Sequence, residues 1–295
     1  MTDRTSPDPT DRSGPFRSRL WTPWRMAYVG GGAREPGCVF CNRLSSDQDV
    51  DSLIVCRTES TFIILNLYPY NTGHVMILPH AHVRDLAALE PATLAEMADL
   101  GAVLTTALRR ILDCDGFNIG MNIGSAAGAG IAEHLHQHIV PRWNGDANFM
   151  PIVGSTKVLP ETLPATYAKI RAEFCRDRSA ATTATAVVFD PDLKTVLLDG
   201  EALPIISLDP ETPVWRSLVQ ALGKHTGNLQ IAGWAGPNMT SADDRTAPAM
   251  AFIASSIRPK VKSLHMVDLD RPELSFPGEA DRRQIAISLA RLRRA

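Results

Sequence analysis

Three histidines at alternate positions, His134, His136 and His138 in Glu133-His134-Leu135-His136-Gln137-His138-Ile139-Val140-Pro141-Arg142-Trp143, have the types and spacing to do chemistry. Imidazole titrates nearer neutrality than any other side chain, so it serves as nucleophile, proton carrier or metal ligand at cellular pH. On a β-strand successive side chains point to opposite faces, so the alternation ending in Ile139-Val140 predicts three imidazoles crowded on one face. A neutral imidazole can attack a phosphoanhydride, forming a nucleotidyl-imidazole whose labile P–N bond an acceptor then cleaves. A neighbouring imidazole or backbone carbonyl bonded to the far ring nitrogen would fix the tautomer. The middle residue, His136, has neighbours on both sides and is the expected nucleophile, with His138 as its supporting hydrogen-bond partner. A surface cluster or an incidental metal chelate is the plainer alternative.

Cys38-Val39-Phe40-Cys41 pairs two thiols at metal-ligand spacing and needs two more donors to close a tetrahedral zinc site. His80-Ala81-His82 and His134 can supply them, and the residues alone leave His80 and His82 open. Four protein ligands would make such a zinc structural, with no position left for water. Gly120 to Gly130 carries four glycines with Asn122 and Ser125, directly before the histidine run. Close backbone approach, free N–H groups and short amide or hydroxyl side chains suit phosphate oxygens without net positive charge. A ligand-free small-residue hairpin would look similar. His74 is either a further active-site member or a structural hydrogen-bonder and is placed outside the catalytic set; Cys56, Cys114 and Cys175 read as packing residues.

The elements that must hold these groups follow from periodicity. Leu53–Cys56, Thr61–Leu67 and Gly73–Leu78 read as antiparallel strands, and Pro91–Cys114, apolar at intervals of three and four, as an amphipathic helix. Phe117–Ile123 is a fourth strand before the glycine-rich loop and the histidine strand. Strands flanking one long helix, without strand–helix alternation, indicate an α+β domain on an antiparallel sheet. A helix is expected over Leu163–Cys175 and a linker around Arg176–Thr183. A second α+β unit is expected from Ala184, with strands at Ala184–Phe189, Thr195–Leu198 and Met250–Ser255 and helices at Val214–His225 and Gly278–Arg294.

At 295 residues two domains are the better expectation. A formal charge of −2 gives no broad attraction to nucleic acid, so a polyanionic substrate would need a dedicated site. Residues 1–16 read as a disordered tail rather than a signal peptide, and no stretch reaches membrane-spanning length. Five cysteines, two of them closely paired, fit a reducing cytoplasm better than a disulfide framework.

His134-Leu135-His136-Gln137-His138-Ile139-Val140 resembles the motif of the histidine-triad superfamily. Leu20-Trp21-Thr22-Pro23-Trp24-Arg25-Met26, Asn66-Leu67-Tyr68-Pro69-Tyr70-Asn71 and His138 to Phe149 are similar to its bacterial diadenosine tetraphosphate phosphorylase group, over about residues 17–178. The resemblance implies a dimeric nucleotide-binding α+β fold whose middle histidine is transiently nucleotidylated: His136 as nucleophile, His138 as its partner, and Asn66, Asn122, Gly124, Ser125 and Asn148 as nucleotide or phosphate contacts. Zinc-bearing relatives, including galactose-1-phosphate uridylyltransferases, are similar in Cys-x-x-Cys, in a histidine matching His82 and in the first triad histidine, which implies zinc on Cys38, Cys41, His82 and His134. Many hydrolase-type members have Gln four residues before the triad, where this chain has Gly130; the smaller residue leaves room for orthophosphate in place of water.

Residues 184–295 faintly resemble a Nudix domain in Asp209-Pro210-Glu211-Thr212-Pro213 and the helix before His225-Thr226-Gly227. Ala221, Lys224 and His225 stand where its metal-binding glutamates would fall, so Mg²⁺ could not be held in the usual way. A degenerate unit for substrate shaping or dimer contact is expected, against an unrelated α+β domain. The domain expectation is therefore a tail (1–16), a histidine-triad domain (17–178), a linker (179–183) and a C-terminal domain (184–295). The expected activity is a cytoplasmic, homodimeric phosphorylase, taking a dinucleoside polyphosphate and orthophosphate to a nucleoside triphosphate and a diphosphate. A hydrolase using water, or a nucleotide sensor with little turnover, are the alternatives.

Overall fold

The computed structural model describes residues 35–146, 160–236, 248–257, 263–269 and 279–293. All of these except Gly145 and Asp146 belong to one unit, 35–144 with 159–295. The 1–16 tail, the Leu20–Met26 motif and Asn148 lie outside the described residues.

The first sheet is antiparallel throughout, in the order β1-β2-β3-β5-β4, from β1 (Ile54–Arg57), β2 (Thr61–Leu65), β3 (Val75–Pro79), β4 (Gly116–Met121) and β5 (Gln137–Arg142). β2 and β3 are buried at every position, and apolar at all but Thr61, because both their faces are covered. Ile63, Val75, Ile77 and Ile139 pack under Met97, Leu104, Leu108 and Ile111 of helix α2 (Pro91–Leu112). Phe62, Ile64, Met76 and Leu78 pack on the opposite face against Phe40 of the short helix α1 (Val39–Ser45). Since side chains alternate, Ile139 and Val75 facing α2 places His138 and His74 on the α1 face.

The histidine run is not one continuous strand. β5 begins at Gln137, after His134 and His136. The ladder with β3 stops at Ile77↔Gln137; continuing it would bring Leu135 to Pro79, which has no N–H to pair. The Leu135 N–H bonds Val83 O instead, at 2.6 Å.

Helix α3 (Leu163–Ser179) extends through the first half of the stretch whose composition suggested a linker, and β6 already starts at Thr183. It is buried from Ala165 to Arg176, charged residues included, because apolar side chains of both sheets enclose it in one continuous cluster. Its polar side chains satisfy backbone groups that no strand reaches. On the edge strand β1, the Tyr167 hydroxyl donates to Ile54 O at 2.7 Å, and the Arg171 guanidinium donates to Ile54 O at 2.5 Å and Val55 O at 3.1 Å beside Asp49. An edge sealed in this way offers no template for another strand. Tyr167→Phe removes one of these donors and is expected to cost about 1 kcal/mol in urea unfolding, since Arg171 still serves the same carbonyl.

The second sheet runs β11-β7-β6-β10-β9, with β8 also on β6: β6 (Thr183–Phe189), β7 (Thr195–Asp199), β8 (Ile205–Ser207), β9 (Leu229–Trp234), β10 (Ala249–Ala254) and β11 (Leu264–Asp268). β10 is parallel to β6 and the other pairs are antiparallel. Helix α4 (Val214–Leu222) follows β8 and α5 (Glu279–Leu292) closes the unit. α4 stops before Lys224 and His225, one turn earlier than its apolar pattern predicts, and Gly223 follows its last residue. The short β8, β9 and β11 carry no strong alternation and were not expected from the sequence. No helix among the described residues is long and apolar enough to cross a membrane.

Candidate functional site

The three histidines divide into two sites. His134 is fully buried, and its Nε2–H donates to Pro79 O at 3.0 Å, which leaves the Nδ1 lone pair directed at Cys38 Sγ (3.5 Å) and Cys41 Sγ (3.6 Å). His82 Nδ1 lies 3.3 Å from Cys41 Sγ, and the four donor atoms are all within 4.8 Å of one another. Tetrahedral ligands about 2.0–2.3 Å from a zinc ion would stand roughly 3.3–3.8 Å apart, and a carbonyl on the far nitrogen is the usual way to orient a histidine ligand. Burial and the adjacent Cys38 push the Cys41 thiol above its ordinary pKa, so a thiolate pair here calls for a cation. Geometry also chooses between the two downstream histidines: His80 packs its ring on Phe62, and only His82 joins the cysteines.

His136 is buried, and its Nδ1–H donates to His134 O at 2.8 Å. The proton is thereby fixed on Nδ1 and the Nε2 lone pair is left available. Burial pushes its pKa below the ordinary histidine value, against the carbonyl bond, which favours the cation. The carbonyl is thus the group that sets the tautomer, while the His138 ring meets His136 edge-on at 4.8 Å between centroids.

His138 is held by a residue that sequence reading left outside the catalytic set. His74, fully buried, accepts the Tyr70 backbone N–H on Nδ1 at 3.0 Å, so its proton sits on Nε2, 2.9 Å from His138 Nδ1. His138 accepts that proton and keeps its own on Nε2. Asn66 Nδ2 is 3.2 Å from His74 Nδ1, and the Tyr70 ring stacks on His74 at 4.8 Å. Asn66 therefore reaches the site through His74. The available signal was a single polar residue at the head of a wholly apolar strand; Phe40, whose ring lies 5.3 Å from His136, was hidden between the two cysteines.

Gly73 explains the corner. Its φ is +78°, and a Cβ there would collide with Leu112 Cδ1 and stand 3.3 Å from Pro141 Cγ. Gly73→Ala is expected to destabilise the fold by about 3 kcal/mol, read as a lowered urea midpoint, because both the backbone region and the space are denied.

β4 pairs with β5 up to Met121↔Gln137, so Asn122 is the next residue alongside His136. Gly124 (φ +78°) and Ser125 lie exposed in the loop that follows, where Ser125–Ala127 form a single 3₁₀ turn. The structure thus brings Asn66 to the histidines through His74, sets Asn122 directly after the last β4–β5 pair, and leaves Gly124 and Ser125 exposed in the loop.

A family model, HIT domain, matches residues 47–145, which include all three histidines. An AP-4-A phosphorylase of Mycobacterium tuberculosis is 40% identical over 191 residues, covering 59% of this chain and 96% of the relative. An adenylylsulfatase of Arabidopsis thaliana is 31% identical over 109 residues, 37% of this chain and 54% of that protein. Among solved structures, a Zn-bound histidine triad family protein from Mycobacterium smegmatis is 32% identical, with a TM-score of 0.41, covering 49% of this chain and 98% of that one. With its triad inside the matched domain and two-fifths identity along nearly the whole of a named relative, the chain belongs to the HIT family.

Proposed function

We propose that this protein is a dinucleoside polyphosphate phosphorylase of the nucleotidyltransferase type. His136 Nε2 attacks the α-phosphorus of diadenosine tetraphosphate, ATP departs, and adenylyl-His136 remains. Orthophosphate then attacks the same phosphorus, the P–N bond breaks, and ADP leaves with the imidazole restored. His138 Nε2–H donates to the phosphate oxygens, and Asn66, Asn122, Gly124, Ser125 and Asn148 are the expected nucleotide or phosphate contacts. The observation that carries this reading is the pair of fixed tautomers: a lone pair on His136 Nε2 beside a proton on His138 Nε2. The 40% identity to an AP-4-A phosphorylase of M. tuberculosis supports it.

Zinc on Cys38, Cys41, His82 and His134 completes the proposal. With four protein ligands the metal supplies a crosslink between α1, the segment after β3 and the triad, rather than a Lewis acid. A cytoplasmic homodimer is the expected form, and β4, the edge strand of the first sheet among the described residues, with Ile119 half exposed, is the face that suits it. Residues 17–178 are read as the catalytic domain and 184–295 as a degenerate Nudix-like unit. The latter is supported by the β6–β7–β8–α4–β9–β10–β11–α5 order and by Ala221, Lys224 and His225 in place of clustered carboxylates.

Incubation with diadenosine tetraphosphate, with and without orthophosphate, tests the reading. Phosphate-dependent formation of ATP and ADP is expected. Turnover indifferent to phosphate, giving AMP with ATP or two ADP, would replace the phosphorylase by a hydrolase; binding without turnover would leave a sensor.

A further inference from the structure

The HIT-domain match ends at residue 145, and the phosphorylase match leaves 41% of this chain without a counterpart. What the C-terminal part does is visible where α4 meets α2. The Trp215 indole N–H donates to Ile111 O at 3.1 Å, serving one of the last α2 carbonyls, which have no partner within the helix. Next to it, Arg216 Nη2 is 2.6 Å from Asp113 Oδ2, and Asp113 is the left-handed residue (φ +52°) that ends α2. The same end of α4 is anchored from below: Glu173 of α3, fully buried, accepts the Val214 N–H at 3.0 Å and pairs with Arg110 of α2 at 2.6 Å. The Lys169 ammonium lies 4.1 Å from the Trp215 ring centroid.

That turn of α2 bears directly on the histidines. Leu112 is wedged against Gly73, the residue before His74, and Pro141 of the triad strand lies against the same glycine. Asp113 O accepts the Trp143 indole N–H at 3.1 Å, and Asp115 Oδ2 accepts the Asn144 N–H at 2.7 Å. The C-terminal end of the triad strand and the Gly73 corner beside it therefore converge on residues 111–115.

We propose that the C-terminal unit acts as a clamp on the histidine site: Trp215 and Arg216 are positioning residues that fix the end of α2 and, through Leu112 and Asp113, hold the Gly73–His74 corner and the Pro141–Asn144 segment in register. The clamp sets the His74–His138 hydrogen bond and so the proton on His138 Nε2. Its effect on turnover rests on the phosphorylase reading, whereas its effect on the imidazoles does not.

The test uses the full chain with Trp215→Phe, which keeps the ring and removes the N–H, Arg216→Ala, the double variant, and Arg216→Lys as the conservative rescue. With diadenosine tetraphosphate and orthophosphate, the double variant is expected to lose about tenfold in kcat with KM within about twofold of wild type, because misplacement rather than lost binding is the defect. Nitrogen-15 spectra of the imidazoles are expected to show single tautomers for His74 and His138 in wild type and mixed tautomers in the double variant, with Arg216→Lys restoring most of both readouts. Wild-type kcat and wild-type imidazole signals in the double variant overturn the clamp. So does a lowered melting temperature with unchanged tautomers, which is a merely structural role. If the wild-type protein turns over no dinucleotide, the phosphorylase reading fails, and the imidazole spectra still decide the clamp.

Discussion

His136→Ala is expected to lower kcat with diadenosine tetraphosphate and phosphate by at least about 10,000-fold, the scale of losing a nucleophile for which the remaining site has no substitute. Neither flanking triad histidine has the right form: His138 Nδ1 is occupied by His74, and His134 Nδ1 is turned to the cysteines. KM is expected to change far less, since the proposed phosphate contacts in the glycine-rich loop and the asparagines are left in place. The measurement is steady-state formation of ATP and ADP, joined to a trapping experiment in which labelled substrate meets wild-type protein without phosphate. Denaturation must be alkaline, because the P–N bond is acid-labile, and the label should map to the peptide carrying His136. His136→Asn serves as a second variant that fills more of the buried space beside Phe40, so lost activity is not confused with lost folding. An alanine variant within tenfold of wild type would sink the nucleophile assignment.

Stripping the metal, or removing a ligand with Cys41→Ser, is expected to produce the largest stability effect. An ion that binds only the folded chain and stands at about 1,000 times its Kd contributes about 4 kcal/mol. For a domain of roughly 150–250 residues that corresponds to about 8–16 °C in melting temperature. The donors come from far apart in the chain: Cys38 and His134 are 96 residues apart, so without the ion α1 is tied to the triad mainly through the Phe40 contacts. Activity should fall with the metal, because Phe40 lies between two ligands and against His136. Elemental analysis should find about one zinc per chain in the wild type and little in Cys41→Ser. Zinc-free protein that melts at the same temperature as the loaded form would reject a structural metal.

Much of the site could be read from residue types, because its chemistry resides in short runs. Alternating histidines, a Cys-x-x-Cys pair and a glycine-rich loop each imply their function locally, and the long α2 helix declares itself through its apolar spacing. The buried charges of α3 resisted the same reading. A helix carrying Lys169, Arg171, Glu173 and Arg176 has no apolar stripe, and only the two enclosing sheets show that those groups serve β1 and α4. The end of the histidine strand was equally hidden, since it depends on Pro79 lacking an N–H at the facing position of a different strand.

The sequence by itself determined which residues were candidates for chemistry, three imidazoles, two thiols and a glycine-rich loop, because each pattern carries its chemistry in side-chain type and spacing. Tertiary structure alone decided what holds each imidazole. A tautomer is chosen by the partner on the opposite ring nitrogen, and those partners, Pro79 O, His134 O and His74, are brought to the three histidines by folding: a distant strand, a carbonyl turned back on the next imidazole, and a buried residue across the sheet.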